Sequence, residues 1–247
     1  MTSNAVTRNR VAGLHAARWR DAVGTDGAHI PIRLLEFDAS DFDPCVFAEI
    51  GIHCPANISR SARKRQAEFF FGRLAARQAL SAITADLASA NIDVGVSREP
   101  LWPDGVIGSI THDRRFAAAT VEMRGRRRGI GIDIERVVCS ETLHAMLDTV
   151  IDAQEMRDMS AQAGSWPNTT LLTLAFSAKE SFFKGTYRAV GHFFDFDAVR
   201  IMAMHPERGR LRLRLMRTLC EHFVEGQDYE LGFEFIDPNT IVTHFVW

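Results

Sequence analysis

The chain has 247 residues, 46% apolar and 24% charged, an ordinary composition for a water-soluble globular protein with room for one core or two. Its formal net charge of -2 excludes nucleic-acid or membrane binding driven by overall charge. The four cysteines (Cys45, Cys54, Cys139, Cys220) form no C-x-x-C pair, no stretch reaches the roughly 18 apolar residues of a membrane span, and residues 1–13 carry no apolar signal core, so a soluble protein of the reducing cytoplasm is expected.

In chain order, residues 1–28 are polar and read as a flexible leader. Ile30–Phe37 reads as a strand, with Pro31 marking an edge or a strand start. The Ala-, Leu-, Arg- and Gln-rich run from Ser59 to Leu87 reads as a helix, with Phe70, Leu74, Ala75 and Leu80 near helical spacing. Ser97–Asp104 reads as a loop around Trp102. Ile107–Ile110 and Phe116–Met123 form a hairpin pattern across the polar Thr111–Arg115, and the arginine-rich Arg124–Arg128 reads as an exposed turn. Ile130–Ile134 is the next strand, Ser140–Met159 and Thr169–Ala189 read as helices, and the tail alternates as strands at Leu211–Leu215, Tyr229–Phe235 and Ile241–Trp247. Each half runs helix first and then strands, which predicts an α+β fold of two similar tandem units, residues 29–125 and 126–247.

Two segments carry most of the chemistry. Gly131-Ile132-Asp133-Ile134-Glu135 places two carboxylates on alternate positions of a β-branched run, so on a strand Asp133 and Glu135 share a face. Phe176-Ser177-Ala178-Lys179-Glu180, extended by Lys184, places Glu180 one helical turn before Lys184. Each segment has a plain alternative, a solvent-facing edge pair and a salt-bridged helix face. Buried among isoleucines and phenylalanines, these carboxylates need a cation or hydrogen-bond donors, and oxygen-only ligation favours magnesium or manganese over zinc. The lysines beside them suit the anionic oxygens of a diphosphate. His112 lies among hydroxyl groups, as a phosphate contact or a hydrogen-bonded turn histidine. Arg73 and Arg77 share a helix face and repel unless an anion lies between them, and Arg63, Lys64 and Arg65 precede them. No aromatic platform accompanies these arginines to mark a nucleic-acid surface.

The order of five blocks resembles the 4′-phosphopantetheinyl transferase superfamily, in its larger pseudo-dimeric type and nearest the enterobactin synthase component D-like branch. The blocks are Arg73-Leu74-Ala75-Ala76-Arg77, Pro100-Leu101-Trp102-Pro103, Gly108-Ser109-Ile110-Thr111-His112, the Asp133/Glu135 strand and the Lys179/Glu180/Lys184 helix. The resemblance implies a pseudo-twofold pair of α+β halves with the active site in the cleft between them. It implies transfer of phosphopantetheine from coenzyme A, the substrate, to a serine of an acyl, peptidyl or aryl carrier protein, with adenosine 3′,5′-bisphosphate leaving. Asp133, Glu135 and Glu180 match the family's metal-binding carboxylates, and His112 its coenzyme A-contacting histidine. Lys179 and Lys184 match the lysines near the diphosphate. Arg65, Arg73 and Arg77, with Arg98 as a further candidate, lie where relatives meet the phosphates. Glu180 is implied as base or metal ligand, and Lys184 as the group that stabilises or protonates the leaving bisphosphate. Asp113, following the histidine, departs from the family pattern and would oppose coenzyme A unless it faces Arg114 or solvent. A monomer is expected, since one chain carries both halves of the cleft.

Overall fold

The computed structural model describes residues 11–247, apart from the side chains of residues 144, 145 and 148. Its elements in order are β1 (Leu14–Val23), β2 (His29–Phe37), α1 (Val46–Ile50), α2 (Ala56–Ser59), α3 (Arg63–Ile83), β3 (Asp93–Val94), β4 (Pro100–Leu101), β5 (Val106–His112), β6 (Phe116–Met123), β7 (Ile130–Arg136), α4 (Ser140–Val150), α5 (Ala153–Gln162), α6 (Asn168–Val190), β8 (Val199–His205), β9 (Arg210–Leu215), β10 (Asp228–Asp237) and β11 (Thr240–Val246). Two large antiparallel sheets result, β1-β2-β6-β5 and β7-β11-β10-β9-β8, each backed by one long helix, α3 on the first and α6 on the second, and β3 pairs with β4 in a short third sheet. The fold is α+β in two tandem halves, as the sequence predicts.

Three differences from the sequence reading have clear causes. The expected leader of residues 1–28 contains β1, a full strand paired with β2 from Leu14 to Val23. Residues 1–10 of that leader lie outside the described residues. Of the ten residues of β1 only Ala22 is buried, so the strand rests on backbone pairing and on contacts such as Arg33 over the Trp19 ring, and it leaves no apolar alternation to read. Both halves therefore begin with strands rather than with a helix. β2 is an inner strand, and Pro31 is tolerated because β6 pairs only with Arg33–Glu36, beyond the proline. The single helix read over Ser140–Met159 breaks at Ile151, where the backbone is extended and Asp152 caps α5 by accepting the Glu155 amide at 2.7 Å.

The halves join through a shared apolar layer. Ile130, Ile132 and Ile134 of β7 pack with Ile30, Ile32 and Leu34 of β2 and with Ile107, Phe116 and Ala118. That layer sends Gly131, Asp133 and Glu135 to the opposite face of β7, against α6. Arg127, expected in an exposed turn, is buried instead. It pairs with Asp26 and Glu122 and donates to the His29 and Ala28 carbonyls, tying the segment between the sheets to the β1–β2 turn.

At Gly131 and Gly185, β7 and α6 approach without a side chain between them. A Cβ at Gly131 would collide with the Ser181 carbonyl of α6, and one at Gly185 would lie 2.8 Å from the Phe245 ring. The Gly131→Ala variant is expected to lose about 3 kcal/mol of stability through overpacking, measured by urea denaturation.

Candidate active site

Asp133 is 3% exposed, and one of its carboxylate oxygens is heavily engaged. Oδ1 accepts the Lys184 ammonium at 2.5 Å and the Thr111 hydroxyl at 3.1 Å, while Oδ2 is buried with no partner. Glu135 lies two residues along the same strand. Burial, then the Asp133 charge, pushes its pKa up to about 8 against the opposing pull of Lys184. Glu180, on α6, is also pushed up, by burial and by Asp133. Burial disfavours the Lys184 ammonium, but Asp133 and Glu180 outweigh it and hold its pKa above the ordinary lysine value. These four groups therefore act on one another electrostatically.

Their ligating oxygens are not drawn into one contracted set. Among the described residues, the only group of three acidic, histidine or cysteine residues with ligand atoms within 4.8 Å of one another is His15, Asp38 and Asp41, which is exposed. Between the carboxylates the Lys184 ammonium holds the position of positive charge. The donor set of Asp133, Glu135 and Glu180 is all oxygen and includes one buried oxygen without a partner, which fits a hard divalent cation.

A cavity of about 610 Å³ opens beside these groups, lined from both halves by Arg98, Trp102, Arg128, Glu180, Lys184 and Arg188. Arg98 sits in the turn between β3 and β4, and among the described residues it is the one non-glycine with positive φ, 70°. Arg128 and Arg188 have no counterpart in the sequence reading. Arg128 belonged to a basic run read as a surface turn, and nothing in its neighbours marks it as lining a cleft.

His112 ends β5 as part of a second cationic neighbourhood. Its Nε2 lies 2.8 Å from Arg65 Nη1. Because a guanidinium only donates, Nε2 accepts and the ring is neutral with its proton on Nδ1, the atom 3.8 Å from Glu68 Oε2. Glu68, also paired with Lys64 and Arg65, was not singled out in the sequence, although its i,i+4 and i,i+3 spacing from those residues is the signal that finds it. Arg73 adds to the positive field at His112 and stacks over Phe69 at 4.7 Å, with its buried Nε unpartnered. Asp113, the residue following the histidine, is engaged by the backbone of its own turn. Its Oδ1 accepts the Arg115 amide at 2.8 Å and the Phe116 amide at 2.5 Å, closing the β5–β6 turn.

Two expected phosphate ligands are committed elsewhere. Lys179 points away from the carboxylates and is 2% exposed. Its ammonium donates to the Val150 carbonyl at 2.8 Å, to Glu155 at 3.1 Å and to the Phe196 carbonyl at 3.3 Å. Adjacent helical positions face in different directions, so Lys179 cannot follow Glu180 into the site. Arg77 donates to the Ile50 carbonyl at 2.8 Å, a backbone partner that the sequence did not suggest. Both arginines line a separate cavity of about 390 Å³.

Comparison with known proteins decides the family. Residues 55–122 match the 4′-phosphopantetheinyl transferase N-terminal domain, and residues 129–234 match the 4′-phosphopantetheinyl transferase superfamily. The chain belongs to the 4′-phosphopantetheinyl transferase superfamily. It is 31% identical to enterobactin synthase component D of Salmonella typhi over 216 residues, covering 87% of each chain. It is 31% identical to enterobactin synthase component D of Escherichia coli (strain K12) over 196 residues, 74% of this chain and 91% of that one. Similarity extends to the 4′-phosphopantetheinyl transferase Svp of Streptomyces mobaraensis, 33% identical over 162 residues, 65% of this chain and 63% of that one. The family match covers β5, β7 and α6, the elements that carry His112, Asp133, Glu135, Glu180 and Lys184. No described helix is long and apolar enough to cross a membrane.

Two outcomes are expected of this transferase. Burial, followed by Arg65 and Lys184, pushes the His112 pKa down to about 4. A histidine with a lowered folded-state pKa contributes stability that is full above its unfolded value, about 6.5, and is lost as pH falls towards 4. Imidazole NMR of the free protein should show His112 neutral at pH 6 with its proton on Nδ1. Replacing Lys179 by Met should cost about 3–5 kcal/mol, since Glu155 is left buried and unpaired. The fraction that stays folded should bind coenzyme A with wild-type affinity in calorimetry.

Proposed function

We propose that this transferase moves the phosphopantetheine arm of coenzyme A to a carrier-protein serine in the cavity between its halves, with magnesium or manganese held by Asp133, Glu135 and Glu180. The observation that carries this reading is the bare, buried Asp133 Oδ2 within a carboxylate cluster whose Glu180 and Lys184 line a cavity rimmed by Arg98, Arg128 and Arg188. When bound, the cation neutralises charge on the diphosphate oxygens.

The chain's own residues do the remaining work. Arg98, Arg128 and Arg188 attract and orient the diphosphate, and Arg65, Arg73 and the neutral His112 offer donors to the separate 3′-phosphate. The carrier serine oxygen forms a bond to the phosphorus that bears the pantetheine arm, and the bond from that phosphorus to the bisphosphate oxygen breaks. The serine proton passes to Glu180, whose raised pKa brings it nearer the working pH of a general base. The Lys184 ammonium stabilises the oxygen that leaves. Coenzyme A as substrate agrees with a cytoplasmic location, and a single chain supplying both walls of the cavity agrees with a monomer. The relatives named enterobactin synthase component D favour carriers of siderophore or other secondary-metabolite assembly over those of fatty-acid synthesis.

The test is intact-mass analysis of apo peptidyl, aryl and fatty-acid acyl carriers incubated with enzyme and coenzyme A. A gain of one phosphopantetheine arm that needs magnesium and stops with chelator is expected, fastest on the peptidyl or aryl carrier. Gain that persists with chelator would overturn the metal assignment. Glu180→Gln should lower kcat about 10²–10⁴-fold while coenzyme A affinity changes far less. Loss of binding with turnover at saturation intact would refute its role as base.

A further inference from the structure

β5 and β7 are edge strands of different sheets, and two hydroxyls bridge them. Ser109 Oγ accepts the Ile132 amide at 3.0 Å, and Thr111 Oγ1 accepts the Ile134 amide at 3.0 Å. A hydroxyl has a single proton to give. That of Ser109 turns to the Ile132 carbonyl at 3.4 Å, whereas that of Thr111 goes to Asp133 Oδ1 at 3.1 Å. Thr111 is therefore the one of the two bridges that ends on a carboxylate of the candidate metal site.

The consequence lies in how the two oxygens of Asp133 are used. Oδ1 carries two donors, Thr111 from the N-terminal half and Lys184 from α6, while Oδ2 keeps its lone pairs. We propose that Thr111 is a positioning residue for the metal site, its hydroxyl locking the Asp133 carboxylate so that Oδ2 is the oxygen offered to the cation. Thr111 is 3% exposed, so it acts through Asp133 and not on substrate. The inference rests on the cation site proposed above. It assigns to the N-terminal half a hand in metal affinity, although the three carboxylates all belong to the C-terminal half.

The experiment titrates the full-length protein with Mn²⁺ as the spectroscopic probe, reading free ion by electron paramagnetic resonance, for the wild type and for Thr111→Val, Thr111→Ser and Ser109→Ala. Thr111→Val should weaken Mn²⁺ binding about 10–100-fold, the range for loss of an outer hydrogen bond to a ligand. Thr111→Ser, which keeps the hydroxyl, should stay near wild type. Ser109→Ala should lower thermal stability without changing Mn²⁺ affinity. The transfer rate of Thr111→Val should recover as magnesium is raised, which a purely structural lesion would not show. If Thr111→Val does not fold, Thr111→Cys carries the test, its weaker donor giving intermediate affinity. Wild-type Mn²⁺ affinity in whichever of these variants folds would overturn the inference alone. A wild-type protein that binds no Mn²⁺ would overturn the cation site and the inference together.

Discussion

The close approach of α6 to β7 is the constraint on which the rest of this molecule depends. Gly131 and Gly185 leave no side chain between helix and strand, and Trp247 fastens the same place by donating its indole N–H to the Gly185 carbonyl at 2.8 Å. Elsewhere on the helix, Ser177 and Ser181 bond Thr243 of β11 at 2.9 and 2.6 Å, so small hydroxyl-bearing residues join the helix to the sheet beside its apolar contacts. A helix held this near brings Glu180 and Lys184 beside Asp133 and Glu135. A larger residue at either glycine would push the two elements, and the motifs they carry, apart.

That proximity has an electrostatic cost. Burial and the Asp133 charge raise the proton affinity of both Glu135 and Glu180, and one lysine cannot neutralise three carboxylates. That imbalance supports the cation proposed above, and the orphaned Asp133 oxygen is the observation that points to it. The Lys179–Glu155 pair shows the contrasting case on the same helix. There, buried charges are matched one to one and capped by backbone carbonyls, and the result is a structural joint linking α6 to α5.

The union of the halves extends well beyond the apolar layer between their sheets. β1 reaches across to the second sheet, with Arg20 on Glu234 at 2.5 Å, and the Val23 carbonyl faces His244 at 3.1 Å and Arg210 at 2.8 Å. Arg127 ties the connecting segment to the turn of the same hairpin. Most of these contacts join the second half to β1 and its turn, a hairpin that precedes the family-matched N-terminal domain. The cavity walls are thus held in register by elements outside the segments that carry the motifs.

Much of this was legible in the amino-acid sequence, for reasons that differ from residue to residue. Alternation along Ile130–Glu135 places the isoleucines on one face and the carboxylates on the other whatever packs against them, and the spacing of Glu180 and Lys184 makes them neighbours on any helix. The order of the motifs points to the family, and with it to the α+β halves. Partners of side-chain heads are another matter. Lys179 and Lys184 look alike in the chain, yet Lys179 ends among the carbonyls of Val150 and Phe196 and Lys184 on Asp133. Arg127 and Arg128 are adjacent, yet one is buried in a joint and the other lines the cavity. β1 was illegible because a strand held by its backbone needs no pattern of side chains. Sequence periodicity alone determined which residues share a face. Tertiary structure decided which of those faces are pressed together, and so which charges had to find partners, because a charge removed from water is governed by whatever the fold brings to it.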